Sequence, residues 1–137
     1  MKTFISVQKE GKVLRNYKFR AWDRKNKAML KVTTVDFSNG ICFSPSREKH
    51  LDFWNYETAL MQSTELKDRN ENEMYEGDVI KGKEWSKGKS HRHIGVVTYV
   101  GGEFRSVGVK QYCGYNGSVN GSYEIIGNIY ENPELVE

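Results

Sequence analysis

The sequence predicts a mainly β protein, organised as a small antiparallel sheet or a partly open barrel of short strands with long polar loops and little helix. Short runs rich in aromatic and β-branched residues recur along the 137-residue chain, and turn-forming residues separate them. Thirteen glycines against two prolines favour turns over proline-rich linkers. A chain of this length makes one domain, or one domain with an appendage.

The first half predicts a series of hairpins. Residues 17–22 alternate aromatic with basic or small side chains, 23–27 form a polar turn, and 29–32 return as a second strand. Residues 1–16 are expected to be an N-terminal arm or an extra hairpin that precedes a β domain spanning 17–137.

The next segments continue the strand pattern as far as residue 43. Residues 33–37 and 41–43 read as strands around the turn signal Ser-Asn-Gly at 38–40. Residues 51–60 match neither a helical nor a strand period, so a short helix and a broad strand both remain open. The polar stretch 67–72 is predicted to be a hairpin loop.

The second half contains the strongest strand signal, at residues 94–100, followed by the tight turn Gly101-Gly102 and a returning strand at 103–109. Before it, 83–93 is basic and poor in aliphatic residues, and we expect an exposed, mobile loop. Residues 114–122 read as a glycine- and asparagine-rich loop, and 123–130 as the closing strand. One helical turn is predicted at 132–135.

Charge alternates in four blocks along the chain, although the net charge is only +3. Residues 1–50 hold 12 basic and 4 acidic side chains, and 51–80 hold 2 and 8. Residues 81–110 hold 7 and 2, whereas 111–137 hold only 4 acidic ones. Either the blocks pair with one another, within a monomer or across an interface, or the basic segments form a face that meets phosphate.

Several classes of protein are not expected. No apolar run is long enough for a membrane-spanning helix, and the N-terminus lacks the apolar core of a signal peptide. Cys42 and Cys113 lie in no metal- or redox-type pair, so two reduced thiols are favoured over one disulfide. We find no nucleophile elbow, P-loop or dinucleotide fingerprint, and we expect no enzyme activity and no cofactor.

Two clusters are candidate binding sites. Arg20 beside Trp22 can hold an anion or stack on a base, although a buried indole with a paired arginine is the alternative. In the basic segment the candidates for phosphate contact, metal binding or plain solvation are Lys83, Lys87, Lys89, His91, Arg92 and His93.

Residues 75–80 form the densest short motif. Gly77 is expected to adopt a left-handed or bulge conformation beside Tyr75, and Asp78 to fix the turn through backbone N–H groups. The alternative is that Glu76 and Asp78 form an acid pair on one strand face, suited to metal binding or acid–base catalysis.

Segments 17–23, 60–81 and 123–134, with the strand at 95–97 between them, resemble the YopX family of phage and prophage proteins. The resemblance implies a mostly β protein of a bacteriophage, acting in the cytoplasm of its bacterial host, and it brings no catalytic residue. Similar members often have Gly where Glu65 stands and Asn-Gly where Glu71 and Asn72 stand, which implies a looser hairpin tip here.

We therefore expect a non-enzymatic accessory protein that acts by binding. The first hypothesis is an assembly module that forms homo-oligomers, since charge blocks beside many aromatic residues suit self-association. The second is nucleic-acid binding through the basic segments 15–31 and 81–92. A third is counter-defence by sequestering a host protein or a small ligand, in a pocket lined by residues such as Trp22 or Trp54. No membrane partner is expected.

Overall fold

The computed structural model describes residues 6–9 and 12–137, and in these residues the chain is built almost entirely from antiparallel strands. One sheet curls into a half-barrel, so the predicted mainly β fold is confirmed. Short 3-10 turns at Lys110–Tyr112 and Pro133–Leu135 are the helical elements of the described part. The strands are β1 Ser6–Lys9, β2 Lys12–Asn16, β3 Phe19–Asp23, β4 Ala28–Lys31, β5 Thr34–Asp36, β6 Ile41–Phe43, β7 Leu51–Asp52, β8 Thr58–Lys67, β9 Glu73–Tyr75, β10 Asp78–Ser86, β11 Lys89–Val100, β12 Glu103–Gly108, β13 Asn116–Ser118 and β14 Glu124–Asn128.

The chain divides into two compact units, residues 1–65 and residues 66–137. The sequence suggested a boundary only after residue 16, and gave no sign of a division near residue 65. In the N-terminal arm, β1 and β2 pair as an antiparallel hairpin. Residues 1–5 and 10–11 of the predicted arm lie outside the described residues.

Unit 1 contains the hairpins predicted from the first half of the sequence. β3 pairs with β4 and, on its other side, with β8, while β5, β6 and β7 form a second sheet. Its core is small and centres on Ala21, Val35 and Cys42. The predicted strands at 17–22, 29–32, 33–37 and 41–43 are confirmed as β3, β4, β5 and β6. Their signals are local, since apolar side chains alternate along them and turn residues separate them.

Three turns of unit 1 share one chemistry. Each follows a strand that ends in aspartate, whose Oδ1 accepts backbone N–H groups two and three residues later: Asp23 from Lys25 and Asn26, Asp36 from Ser38 and Asn39, Asp52 from Trp54 and Asn55. Such Asx turns satisfy donors that a strand end leaves free. The shared pattern Asp-x-x-Asn is visible in the sequence as DRKN, DFSN and DFWN.

Residues 51–60 form neither the helix nor the broad strand that the sequence left open. β7 covers only Leu51–Asp52, the Asp52 turn follows, and β8 begins at Thr58. The aromatic side chains in this stretch therefore match no single period, because the segment contains two strand ends and the turn between them.

Unit 2 is organised around a five-stranded sheet of order β13-β12-β11-β10-β14. Met74, Ile80, Val97 and Tyr123 form its buried cluster. The predicted strand at 94–100, the glycine turn and the returning strand are confirmed as β11, the Gly101-Gly102 turn and β12. The closing strand is confirmed as β14, and the helical turn near the C-terminus as Pro133–Leu135.

The prediction of a loop at 83–93 is wrong, although most of these residues are exposed as expected. β10 and β11 continue through it as a ladder that ends with Ser86 paired to Lys89. Lys87 and Gly88 make the two-residue turn, with φ of 51° and 78°. Positive φ at both central residues belongs to the type I′ hairpin turn, whose twist matches that of the strands. The sequence did not predict this hairpin, because Lys-Gly is a weak signal for a type I′ turn and because the two strands on either side of it are polar.

The loop predicted at 114–122 is shorter than expected. Within it, β13 at Asn116–Ser118 adds an edge strand to β12, with Gly117 opposite Ser106. The chain leaves this edge strand after Ser118, and Tyr123 then enters the core.

The motif at 75–80 has the turn geometry expected for it. Gly77 has φ of 86°, and Asp78 is buried and accepts a hydrogen bond from the Tyr75 N–H at 2.8 Å. Because this carboxylate holds a turn inside the fold, the arrangement supports the structural interpretation of the motif over the acid pair with Glu76.

A candidate nucleic-acid hairpin and its cleft

The outer half of the β10–β11 hairpin extends beyond the rest of the sheet. β14 accompanies β10 only from Asp78 to Lys81, and β12 accompanies β11 only from Gly95 to Val100. Residues 82–93 are therefore a two-stranded ribbon in the ladder of the described residues, since neither β14 nor β12 pairs with them.

One face of this ribbon, which we call the open face, combines basic and aromatic side chains. Lys83 stands opposite Arg92, and Trp85 is two residues beyond Lys83 on the same strand. Since side chains alternate along a strand, these three point to the same side, and Trp85 is the diagonal neighbour of Arg92. The Trp85 side chain is 72% exposed, so its indole is available to a ligand.

The basic side chains of the ribbon differ from several others in unit 2, which pair with carboxylates. No ion pair joins Lys83, Lys87, Lys89 or Arg92 to another described residue. By contrast, Glu124 pairs with Arg69 at 2.8 Å and with Lys81 at 3.6 Å. The hydrogen bond and charge of Arg69 hold the pKa of Glu124 below its usual range. Part of the alternating charge is thus compensated inside unit 2, and the ribbon retains an excess of positive charge.

The opposite face, the covered face, packs against the rest of unit 2. A Cβ on Gly82 would lie only 2.5 Å from the Tyr123 ring, so this glycine allows the ring to rest on the strand. His93 is 2% exposed, and its Nε2 lies 3.0 Å from Ser106 Oγ. Its ring meets those of Tyr112 and Tyr123 edge-on. His93 is therefore a satisfied core histidine.

Two polar atoms at the covered face have no hydrogen-bond partner in the described part of the chain. They are Glu84 Oε1 and the Tyr123 hydroxyl, both buried. Both lie against Gly117, where an added Cβ would be 2.8 Å from the Tyr123 oxygen and still closer to the Glu84 carboxylate. Glycine at 117 makes room for these two groups side by side.

A cleft of about 350 Å³ opens beside Glu84. Its lining includes Glu84 and His93 from the covered face, and Trp85, Lys87 and Arg92 from the outer part of the hairpin. Tyr112, Tyr115 and Asn116 complete it from the connection between β12 and β13. The volume lies within the range of small-molecule pockets, and the aromatic walls provide flat apolar surfaces.

Of the six residues predicted in the basic segment, four line this cleft, namely Lys87, His91, Arg92 and His93, whereas Lys83 and Lys89 do not. The ribbon places Lys83 and Arg92 on the open face and His91 on the covered face, with Lys87 in the turn and Lys89 next to it. The two histidines therefore do not share a face with the principal basic residues. Among the described residues, no group of three or more His, Cys, Asp or Glu side chains is arranged to hold a metal ion.

The other predicted candidates lie in unit 1. Trp22 is 8% exposed on β3, so its ring faces are unavailable to an external base, and Arg20 beside it is half-buried. A second cleft, of about 480 Å³, is found in this unit. Its buried carboxylate, Asp23, is already engaged by Asn26 and by Arg47 at 3.2 Å.

The sequence analysis missed Glu84, Tyr115 and Tyr123 as site residues. Glu84 falls in the segment predicted as an exposed loop, Tyr115 in the glycine-rich loop and Tyr123 in the closing strand, and no pattern there indicates a binding role. The signal that could have identified Glu84 is the alternation of residues 80–86. Gly82 and Glu84 lie on the same strand face as the buried Ile80.

No helix of the described residues is long and apolar enough to cross a membrane.

Comparison with known proteins agrees with this architecture. Protein EF1440 from Enterococcus faecalis has a similar crystal structure, with a TM-score of 0.59 and 32% identity over 88% of this chain and 98% of that one. The crystal structure of protein yopX from Bacillus subtilis has the same fold, with a TM-score of 0.55 and 24% identity over 88% and 95% of the two chains. No curated protein matches the sequence. The model of the YopX protein family matches residues 18–137, and the chain belongs to this family.

Proposed function

We propose that this protein binds single-stranded nucleic acid through the open face of the β10–β11 ribbon. The observation that carries the proposal is the placement of Trp85 on one exposed face next to the opposed pair Lys83 and Arg92. Proteins that bind single strands combine cationic side chains along the backbone with aromatic rings on which bases stack. A two-stranded ribbon that extends from its sheet presents both groups at once.

The charge of the ribbon supports the same conclusion. Its basic side chains have no carboxylate partner among the described residues, so phosphate contact requires no ion pair to be broken. Binding that releases counterions from phosphates weakens as salt rises. Of the two basic segments predicted to contact nucleic acid, 15–31 and 81–92, only 81–92 is assigned this contact.

The test measures fluorescence anisotropy of a labelled oligothymidylate, about 12 nucleotides long to fit one module, over a series of salt concentrations. Trp85→Ala removes a stacking platform and should weaken binding by about 1–3 kcal/mol. Lys83→Gln combined with Arg92→Gln should reduce the salt dependence by about one unit of slope for each lost contact.

Matched controls separate the ribbon from general effects of charge and aromaticity. Tyr99→Ala removes an exposed aromatic ring from the other end of β11, and Lys49→Gln removes an exposed basic residue of unit 1. Both should bind as the unaltered protein does. Equal losses in the controls and in the ribbon variants, or no binding at low salt, would contradict the proposal.

Self-association is a second candidate, and a specific observation favours it. Unit 1 exposes the rings of Phe43, Trp54 and Tyr56, with Trp54 66% and Tyr56 80% exposed. Exposed aromatic side chains are typical of interface centres. Light scattering should then give a mass above 15.9 kDa that falls to one chain in Trp54→Ser. A mass of one chain at every concentration would exclude a homo-oligomer.

We further infer a phage or prophage origin and a site of action in the host cytoplasm. The support is the resemblance to the YopX family described from the sequence. Genes of phage proteins neighbouring this one, and recovery of the tagged protein in the cytosolic fraction of the host, would support the inference. Recovery in the culture medium or the membrane fraction would contradict it.

A further inference from the structure

The cleft beside the ribbon is lined by a side chain that has an unsatisfied hydrogen-bond acceptor. Glu84 lines this cleft, and its Oε1 is buried without a hydrogen-bond partner among the described residues. The Tyr123 hydroxyl behind it is likewise unpaired but does not line the cleft. Burying such atoms unpaired is costly, and exceptions in native proteins call for a specific explanation. A ligand in the cleft that supplies N–H donors to the Glu84 carboxylate would satisfy this acceptor.

The walls and mouth of the cleft restrict what that ligand is. Trp85, Tyr112 and Tyr115 provide flat rings, which favour a planar group that stacks. Lys87 and Arg92 lie at the cleft and repel cations, so a lysine or arginine side chain of a partner protein is disfavoured. The same two residues attract phosphate, which accompanies a planar base in a nucleotide.

The pattern of donors and acceptors narrows the choice among bases. A carboxylate is an acceptor with two oxygens and has no donor to offer when ionised. Guanine presents two adjacent N–H donors, at N1 and N2, next to the acceptor O6. Adenine and cytosine present a single exocyclic donor beside a ring acceptor, which a carboxylate would repel.

We propose that this cleft receives one unpaired guanine base, whose N1–H and N2–H groups donate to Glu84 while Lys87 and Arg92 contact the adjacent phosphate. The inference rests on the proposed function, since it adds a base-reading pocket to the ribbon that holds the strand. Stacking on the open face provides affinity for any sequence, and the cleft adds preference for guanine.

The experiment compares two labelled probes, the oligothymidylate and the same oligonucleotide with one central guanosine. The unaltered protein should bind the guanosine probe at least about 5-fold more tightly, as one bidentate base contact allows. Glu84→Gln replaces one acceptor oxygen with an NH₂ donor and should abolish that preference while binding oligothymidylate normally. Glu103→Gln, at an exposed position at the far end of β12, is the matched control and should keep it.

A third probe, guanosine 5′-monophosphate, separates this inference from the proposed function. Binding of both oligonucleotides with equal affinity would overturn the guanine pocket and leave the ribbon proposal intact. Glu84-dependent binding of the mononucleotide without binding of either oligonucleotide would support the pocket and overturn the ribbon. Absence of all binding would overturn both.

Two further outcomes bear on the pocket. If Glu84 and Tyr123 simply pair with each other, Glu84→Gln and Tyr123→Phe will lower the melting temperature and leave guanine preference unchanged, which overturns the inference. Loss of the guanine preference in Glu103→Gln to the same extent as in Glu84→Gln would also overturn it.

Discussion

Asp68 is a buried carboxylate that organises the turn between β8 and β9. Its Oδ1 accepts the N–H groups of Asn70 and Asn72, both at 2.9 Å, and its Oδ2 accepts the N–H of Ile125 at 3.0 Å. Burial raises the pKa of this carboxyl, but the hydrogen bonds from Ile125, Asn72 and Asn70 outweigh it, and the pKa lies below the ordinary 3.8. The side chain thus joins a local turn to β14.

We predict that Asp68→Asn lowers the free energy of unfolding by about 1–3 kcal/mol. The amide retains one acceptor oxygen but turns an NH₂ group toward a backbone N–H that then has no partner. Urea unfolding measures the change. Glu48→Gln, which removes a charge from an exposed position, should leave the midpoint where it was.

The effect of Asp68 should also depend on pH. Because the pKa of this carboxyl is lower in the folded chain than in the unfolded one, its stabilisation is complete above the ordinary value and is lost as pH falls through the folded value. The stability difference between the unaltered protein and Asp68→Asn should therefore be full at neutral pH and shrink below about pH 4. A difference that is constant down to pH 2 would contradict this.

Among the structural elements, β8 and the turn that follows it each contain one residue with a strained backbone. Glu65 in β8 and Glu71 in the turn have φ of 65° and 67°, in the left-handed region that favours glycine and asparagine. The sequence resemblance implied Gly and Asn at these places and a looser turn without them. The chain keeps the left-handed conformation at both positions with glutamates, and Asp68 secures the turn around Glu71.

Glu71→Gly should raise the free energy of unfolding by about 0.5–1 kcal/mol. The left-handed penalty of roughly 1–2 kcal/mol is removed, and the greater freedom of glycine in the unfolded chain offsets part of the gain. The ion pair with Lys67 that is lost is long and exposed, at 4.0 Å. Thermal unfolding checks the result, and Glu73→Gly in the extended β9 should instead be destabilising.

The ribbon turn permits a second test of the same principle. Gly88 has φ of 78° and open space around its Cα, so Gly88→Ala adds conformational strain without a clash. We expect the hairpin to lose about 1 kcal/mol of local stability, seen as faster amide hydrogen exchange in residues 82–93. Lys87→Asn, which creates the Asn-Gly pair typical of this turn, should slow exchange there. Unchanged exchange in both variants would argue against the I′ turn.

At the level of the whole chain, each compact unit has its own core and one cysteine. Cys42 is buried in the core of unit 1, Cys113 is exposed in unit 2, and neither is in a disulfide. Burial raises the pKa of the Cys42 thiol to about 11. The expectation of two free thiols is therefore confirmed, and the two differ strongly in environment.

Alkylation by iodoacetamide should follow these environments. Cys113 should react quickly in the native protein, and Cys42 only as fast as unit 1 opens, because a thiolate must be both formed and reached. Mass spectrometry of the two peptides over time measures both rates. Equal rates in the native protein, as seen in urea, would contradict the buried position of Cys42.

Local chemistry is what made most of this fold predictable. Alternating apolar side chains at residues 17–22 and 94–100, and turn residues such as Gly101-Gly102, act over a few positions and are readable in one dimension. Residues 82–93 were not predicted as strands because a polar ribbon with a Lys-Gly turn has neither apolar alternation nor a strong turn signal. It extends as strands because each strand supplies the other's hydrogen bonds, which is a property of the pair.

The sequence was sufficient for the mainly β architecture, the hairpin turns and the excess of positive charge at 81–110. Only the tertiary structure decided which of those charges share a face with Trp85, and that Glu84, Tyr123 and Gly117 meet although they are far apart in the chain. The reason is physical: strand periodicity is set by neighbouring residues, whereas close approach across a sheet depends on register and on where glycine leaves room for another side chain.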